Sequence, residues 1–291
     1  RRMSAVFYRE FRAVLRSICG IVFVSGALFA LGLFVVLNNF NEGYAGFEAN
    51  LPALSVAFAL LLPLICMDAY PAEEREGTGR FLQILPLSAG EVAMGKYLAR
   101  LAVAAIPTAA MLLCPVVLDI FGEVNYLQAY GGILMFAILE VLLISVSMMI
   151  SAFCRRQLAA WIAVYAFFLL WYLAGILAPL FPTGAWFSLG GFLTLAVLAG
   201  VGIGFLFRRV LPGILTAVVL GAVPGGCFIW LRDRFAGALG RFLTAISPYT
   251  QTNAFVLGLF DLRVLMSMLA ASAAAVFLML KAGCRRAGGA V

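Results

Sequence analysis

The stretch AYGGILMFAILEVLLISVSMMISAF, residues 129 to 153, runs for 25 residues with a single charge in it, Glu140. A bilayer hydrocarbon core of about 30 Å needs about 20 predominantly apolar residues in a helix, with 17 to 25 tolerated when the helix tilts. The stretch meets that length and is read as a membrane span. Working outward from it, seven further runs qualify: 18 to 37, 51 to 67, 98 to 118, 158 to 179, 187 to 207, 211 to 231 and 264 to 280. The expectation is an all-α fold, a polytopic helix bundle of about eight spans, with residues 1 to 291 forming one membrane domain.

Composition agrees with that reading. Of 291 residues, 65% are apolar and 11% charged, against about 25% charged in an ordinary soluble domain. The net charge of +7 does not point to nucleic acid, because the basic residues punctuate apolar runs instead of clustering on one face. The absence of histidine removes the commonest general base and zinc ligand. No catalytic, cofactor or metal site is therefore expected within this chain. The six cysteines never come closer than 40 positions, so neither a redox pair nor a zinc knuckle is spelled out, and each reads as a small apolar packer. The first apolar run is too long for the core of a cleavable signal and lacks a small-x-small exit, so it reads as a span that stays. Arg1 and Arg2 precede Met3, the expected native start.

The basic residues alternate between connections. Arg9, Arg12 and Arg16 precede the first span, Arg75, Arg80 and Lys96 follow the second, Arg155 and Arg156 the fourth, Arg208 and Arg209 the sixth, and Lys281, Arg285 and Arg286 the last. Connections 38 to 50, 119 to 128 and 180 to 186 hold no lysine or arginine. The positive-inside rule then places both termini in the cytoplasm and requires an even number of spans. Eight satisfies every short loop; the long outer segment 232 to 263 carries four arginines, where the rule is weakest. A six-span alternative folds 187 to 231 as a re-entrant hairpin and leaves Arg208 and Arg209 near the outer face. Ahead of the first span, Val6, Phe7, Phe11, Val14 and Leu15 fall at helical spacing opposite Arg9, Arg12 and Arg16, which predicts an amphipathic helix along the inner membrane surface.

Gly90 to Lys96 satisfies the spacing GxxxxGK, yet Tyr97 stands where a phosphate-binding loop needs Ser or Thr, and no hydrophobic strand precedes it. Ser88 with Glu91 instead reads as a capping box that starts a helix into the third span. Gly200-x-x-x-Gly204 and Gly221-x-x-x-Gly225 read as close helix packing, and prolines 63, 107, 115 and 224 as kinks within spans.

The most informative stretch is DAYPAEEREGTGRFLQILPLSAGEVAMGK, residues 68 to 96. A charged cluster, a Gly77-Thr78-Gly79 break and then Phe81, Leu82, Ile84 and Leu85 lie outside the bilayer. Those apolar side chains need a cover, and either a partner's groove or the lipid surface would supply one. The run Glu74-Arg75-Glu76-Gly77-Thr78, with Leu82, Leu85-Pro86-Leu87-Ser88 and Gly95-Lys96-Tyr97-Leu98-Ala99, resembles the loop between the second and third spans of type-2 ABC exporter permeases, most closely the gliding-motility type. Ile246-Ser247-Pro248-Tyr249, Phe255, Gly258 and Asp261-Leu262-Arg263 are similar to the same family's outer segment before the last span. The resemblance implies a non-catalytic membrane subunit in a bacterial plasma membrane that pairs with a second permease copy or a related one. Each permease's loop would dock in a cleft of a separate ATPase subunit, and the two ATPase subunits would hold the ATP and magnesium. An accessory extracytoplasmic protein is among the partners it allows. The coupling loop would comprise Glu73, Glu74, Arg75, Glu76, Gly77, Thr78, Arg80, Phe81, Leu82 and Leu85. The family core has six spans, so residues 187 to 231 would be an added hairpin.

Glu140 lies eleven residues into its 25-residue span, near the midplane. A carboxylate there costs about 2.5–3.5 kcal/mol on insertion scales and must face protein or a wet cavity. Two readings stand: a satisfied core group, with Ser145 and Ser147 further along the same helix, or a site on a transport path or permease interface. Two other classes are weighed against the exporter. An enzyme on lipid-linked substrates needs paired aspartates for magnesium diphosphate, and Asp68, Asp119, Asp233 and Asp261 are far apart in the chain. An ion-coupled transporter should show inverted repeats and several intramembrane charges, where this chain shows one and no repeat.

Overall fold

The computed structural model describes residues 2–43, 46–71, 88–154, 156–207, 210–230, 235–251 and 261–288. Among them the regular structure is helical, with no strand. In chain order the helices are α1 (Arg2–Arg16), α2 (Ile18–Phe34), α3 (Leu51–Cys66), α4 (Ala89–Met111), α5 (Cys114–Leu118), α6 (Tyr126–Phe153), α7 (Gln157–Leu177), α8 (Ala185–Phe207), α9 (Val210–Trp230), α10 (Ala238–Ile246) and α11 (Leu262–Gly288). Six helical stretches are long and apolar enough to cross a membrane: Ile18–Asn41, Phe47–Cys66, Ala89–Leu118, Tyr126–Phe153, Gln157–Leu180 and Leu262–Gly283. The two remaining predicted segments are helical as α8 and α9, but the apolar stretches within their described residues, Ala185–Leu198 and Gly213–Gly226, are shorter. Large apolar side chains stay bare along the spans, Phe29 at 72% and Leu158 at 74% exposure among them, as a lipid-facing surface requires.

The chain divides into two compact units, Arg1–Leu169 with Gln251–Val291 and Leu170–Thr250. In the first, α3 and α6 run parallel and α4 antiparallel to both. Phe58 of α3 is sandwiched edge-on between Phe23 of α2, 6.0 Å between centroids, and Phe136 of α6, 4.9 Å. A Cβ at Gly132 would collide with Leu51, so the glycine lets α6 approach α3. On α11, Met268, Ser272, Ala275, Met279 and Ala282 are buried in alternating steps of four and three. That stripe is the seam of a left-handed helix pair, and α11 packs on α6.

The ends of this unit differ in charge. Arg9, Lys96, Arg100 and Lys281 gather at one end, together with α1 and the last turns of α11, where Gly283 adjoins Ala93 and Tyr70. At the other end α2 is prolonged as a π-helix, Val35–Asn41, and asparagines close the α2–α3 hairpin. Asn38 donates to Asn50 at 2.9 Å, Asn50 to Asn39 at 2.6 Å, and Asn39 to the Gly46 carbonyl at 3.0 Å. These amides satisfy one another, as polar groups drawn into a fold must.

In the second unit α8 and α9 form a hairpin. A Cβ on Gly200 would stand 2.6 Å from the Gly213 carbonyl and 2.7 Å from Ala217 Cβ, so this glycine marks a close helix crossing. Of the second expected glycine pair, Gly221 packs on α8, its Cβ position 3.4 Å from Leu193 and 3.9 Å from Ala196, whereas Gly225 has open space beside it. Pro63, Pro107 and Pro224 lie inside helices. Pro115 instead opens the separate helix α5, since the residues before it break α4 off at Met111.

The aromatic sandwich gives a direct test of the packing. Phe58→Ala should destabilise the protein by on the order of 3 kcal/mol through lost contacts. Phe29→Ala, on the bare face, should leave thermal unfolding in detergent within about 0.5 kcal/mol of the parent. Equal melting of the two variants would contradict the core assigned here.

Candidate functional site

The coupling-loop residues expected from sequence, Glu73, Glu74, Arg75, Glu76, Gly77, Thr78, Arg80, Phe81, Leu82 and Leu85, lie outside the described residues. The elements that bracket them are described. Upstream, α3 ends at Cys66 and the chain continues through Asp68, Ala69 and Tyr70. Downstream, the capping box forms as its sequence predicts: the Glu91 amide donates to Ser88 Oγ at 3.2 Å, and the Ser88 amide donates to Glu91 Oε2 at 2.9 Å. It fixes where α4 starts.

One face of α4 then carries Lys96, Arg100, Ala104 and Thr108 at intervals of four, so they line up along the helix. Lys96 is 1% exposed; its ammonium donates to the Ala69 carbonyl at 2.7 Å and sits 4.8 Å above the Tyr70 ring. Arg100, 4% exposed, donates from Nη1 to Glu10 Oε2 at 3.1 Å and to the Lys96 carbonyl at 3.0 Å. Glu10 also accepts from Arg9 at 2.8 Å. Burial alone would raise the Glu10 carboxyl, but the charges of Arg100 and Lys96 and the hydrogen bonds from Arg9 and Arg100 outweigh it and hold the group below the ordinary carboxylate range.

Helix α1 is seated by this pair and by shape. A Cβ on Gly95 would lie 2.9 Å from Val6 Cγ1, so only glycine lets α1 come this close to α4. The apolar face expected to rest on the membrane surface is therefore shared with protein: Val6 and Val14 are buried. The sequence marks Lys96 as a topological signal and as part of the GxxxxGK spacing and the resembling run, but gives it no partner, and it gives Glu10 and Arg100 no role. A signal was present, since Arg100 falls inside the run 98 to 118, where a charge demands a partner.

Farther along, Tyr97 and Ser145 share a hydrogen bond of 2.8 Å, and Ser151 donates to the Met67 carbonyl at 2.9 Å. Glu140 is 5% exposed, and its Oε2 accepts from Thr108 Oγ1 at 2.7 Å. Its other oxygen is buried with no partner among the described residues. The neighbouring serines do not serve it: Ser145 turns to Tyr97 and the Val141 carbonyl, and Ser147 to the Leu143 carbonyl. Together these contacts form a polar seam between α3, α4 and α6, running from the basic end to Glu140. A seam of this kind holds its helices in one register and resists gradual shear, because sliding would leave buried polar groups unpaired. It suits a bundle that moves as a block. A scan against protein-family models and a search of curated proteins both return no match to this chain.

The ion pair predicts a pH dependence. Because the folded Glu10 lies below its unfolded value, near 4.3 for a model glutamate, its stabilisation is present above that range and is lost as pH falls through the folded value. Glu10→Gln should remove that acid-side loss in thermal unfolding between pH 3 and 7. Arg100→Met, which leaves the part-buried Glu10 with Arg9 as its ion-pair partner, should cost about 1–3 kcal/mol at neutral pH. The double variant should recover part of it, and simple additivity of the two single changes would show that the groups do not interact.

Proposed function

We propose that this chain is the membrane-spanning subunit of an ATP-driven exporter, with ATP hydrolysis carried by separate ATPase subunits that dock on residues 71 to 88. The observation that carries the proposal is the tie between the two ends of that segment. Lys96 Nζ bonds the Ala69 carbonyl, and the capping box fixes the start of α4, so both flanks of the segment are joined to one polar seam. A push on the segment would then reach α3, α4 and, through Glu10, α1 as a unit. The resemblance of Glu74 to Thr78 and of the Leu85-Pro86-Leu87-Ser88 run to the coupling loop of type-2 exporter permeases gives the push its source.

In this reading the basic end of the first unit faces the cytoplasm of a bacterium, both termini included. The chain crosses eight times, α8 and α9 adding a hairpin to a six-span core. Two permease copies, or this chain and a related one, enclose the path. ATP favours the closed ATPase pair, and the segment converts closure into rocking of helix bundles, because only a ligand with different affinity for two states can drive such a change. Glu140, held by Thr108 on the facing helix with one oxygen still unpaired among the described residues, lies on the path or at the permease interface.

Gentle purification followed by mass identification of co-purifying chains should find an ATPase subunit. Leu82→Asp with Leu85→Asp should release that subunit or abolish substrate-stimulated ATP hydrolysis while the permease still folds. Full stimulated hydrolysis by the double variant would overturn the docking assignment. Glu140→Gln should cut transport in reconstituted vesicles by about tenfold or more, with thermal stability little changed; normal transport across pH 6 to 8 would make Glu140 structural only.

A further inference from the structure

Helix α1 presents three sectors. Val6, Glu10 and Val14 are turned to protein, with Val6 and Val14 buried and Glu10 held by Arg100. Phe7 and Phe11, stacked with centroids 5.8 Å apart, and Leu15 form a half-exposed apolar sector. Arg9, Arg12 and Arg16 occupy the third, and at 100° per residue they fall within an arc of about 60°. Arg12 and Arg16 are exposed and make no ion pair among the described residues, whereas Arg9 is engaged by Glu10.

Directly after Arg16 the chain turns at Ser17, whose hydroxyl caps α2 by accepting from the Gly20 amide at 3.0 Å. The first turns of α2 then expose Ile18 at 81%, Ile21 at 56% and Val22 at 45%. Two uncommitted guanidiniums thus stand at the head of a bare apolar wall. We propose that Arg12 and Arg16 form a binding site for the headgroup of an anionic phospholipid whose acyl chains lie along Ile18, Ile21 and Val22.

The occupant follows from charge and shape together. An acidic protein segment would match the arginines but leave the apolar wall uncovered, and a neutral lipid would cover the wall but leave two cations without an anion. An anionic phospholipid does both, and each arginine near a charged membrane surface favours binding by about fivefold. Arginine also suits phosphate better than lysine, since its planar fork offers parallel donors. The lipid would fill the wedge between α1 and α2 and hold α1 against α4 from the side opposite Glu10. The inference rests on the chain spanning a membrane and stands apart from any docking of an ATPase.

The test uses the full chain, delipidated and placed in nanodiscs of phosphatidylcholine alone or mixed with phosphatidylglycerol, with bound lipid counted by native mass spectrometry after release into detergent. Phosphatidylglycerol should be retained over phosphatidylcholine. Arg12→Gln with Arg16→Gln should lower its retention by about thirtyfold, while Arg12→Lys with Arg16→Lys should keep most of it and Arg156→Gln should not change it. Both double variants alter exposed side chains and should melt with the parent. Equal retention of the two lipids, or a glutamine double variant that retains as much as the parent, would overturn the site. Soluble glycerol phosphate should fail to displace the lipid; displacement at equal concentration would mean that the apolar wall plays no part, and the lipid assignment would fall.

Discussion

Two cations buried one helical turn apart on α4, Lys96 and Arg100, set the terms for the rest of the first unit. An unpaired charge in such a place costs several kcal/mol, so protein has to come to them. The turn just beyond α3 supplies the Ala69 carbonyl to the lysine. Tyr70 lends its ring face to the lysine, and α1 brings Glu10 to the arginine. The two cations thus anchor α1 through Glu10 and tie the start of α4 to the chain beyond α3. The buried stripe of α11, by contrast, from Met268 to Ala282, holds no charged side chain.

How much of this could be read in advance follows from which contacts are local. Hydropathy places a helix at every expected segment, and the boundaries agree within a few residues except at α4, which starts at Ala89 while its apolar run begins at residue 98, and at α11, which runs on to Gly288 beyond residue 280. The extra turns are amphiphilic, and a hydropathy window cannot see them, though the Ser88–Glu91 box could and did. The π-helix at Val35–Asn41 escaped because it depends on asparagines meeting Asn50 across the hairpin, a tertiary event. The Glu10–Arg100 pair escaped for the same reason, its partners lying 90 positions apart.

Glu140 shows the limit from the other side. Its depth and rarity marked it from sequence, and the structure buries it as those features require. Its hydrogen-bond partner could not be chosen without the fold. The serines five and seven positions on were the nearest candidates by sequence, but each is occupied elsewhere, and the bond comes from Thr108 on the antiparallel neighbour. The intervals of four that join Lys96, Arg100 and Thr108 were visible in the sequence, and they gain their meaning only when α3 and α6 are packed on that face.

The tight contact between Val6 and Gly95 also bears on how the protein is made. Helix α1 leaves the ribosome well before α4, and the groove that receives it does not exist until α4 has been synthesised, because both Gly95 and Arg100 come from that later helix. At ordinary rates of synthesis the wait is on the order of ten seconds. Through it Glu10 has no Arg100 to meet. The register of α1 on the bundle is therefore settled only after the α2–α3 hairpin and the first turns of α4 have been made, a late step for so early a helix.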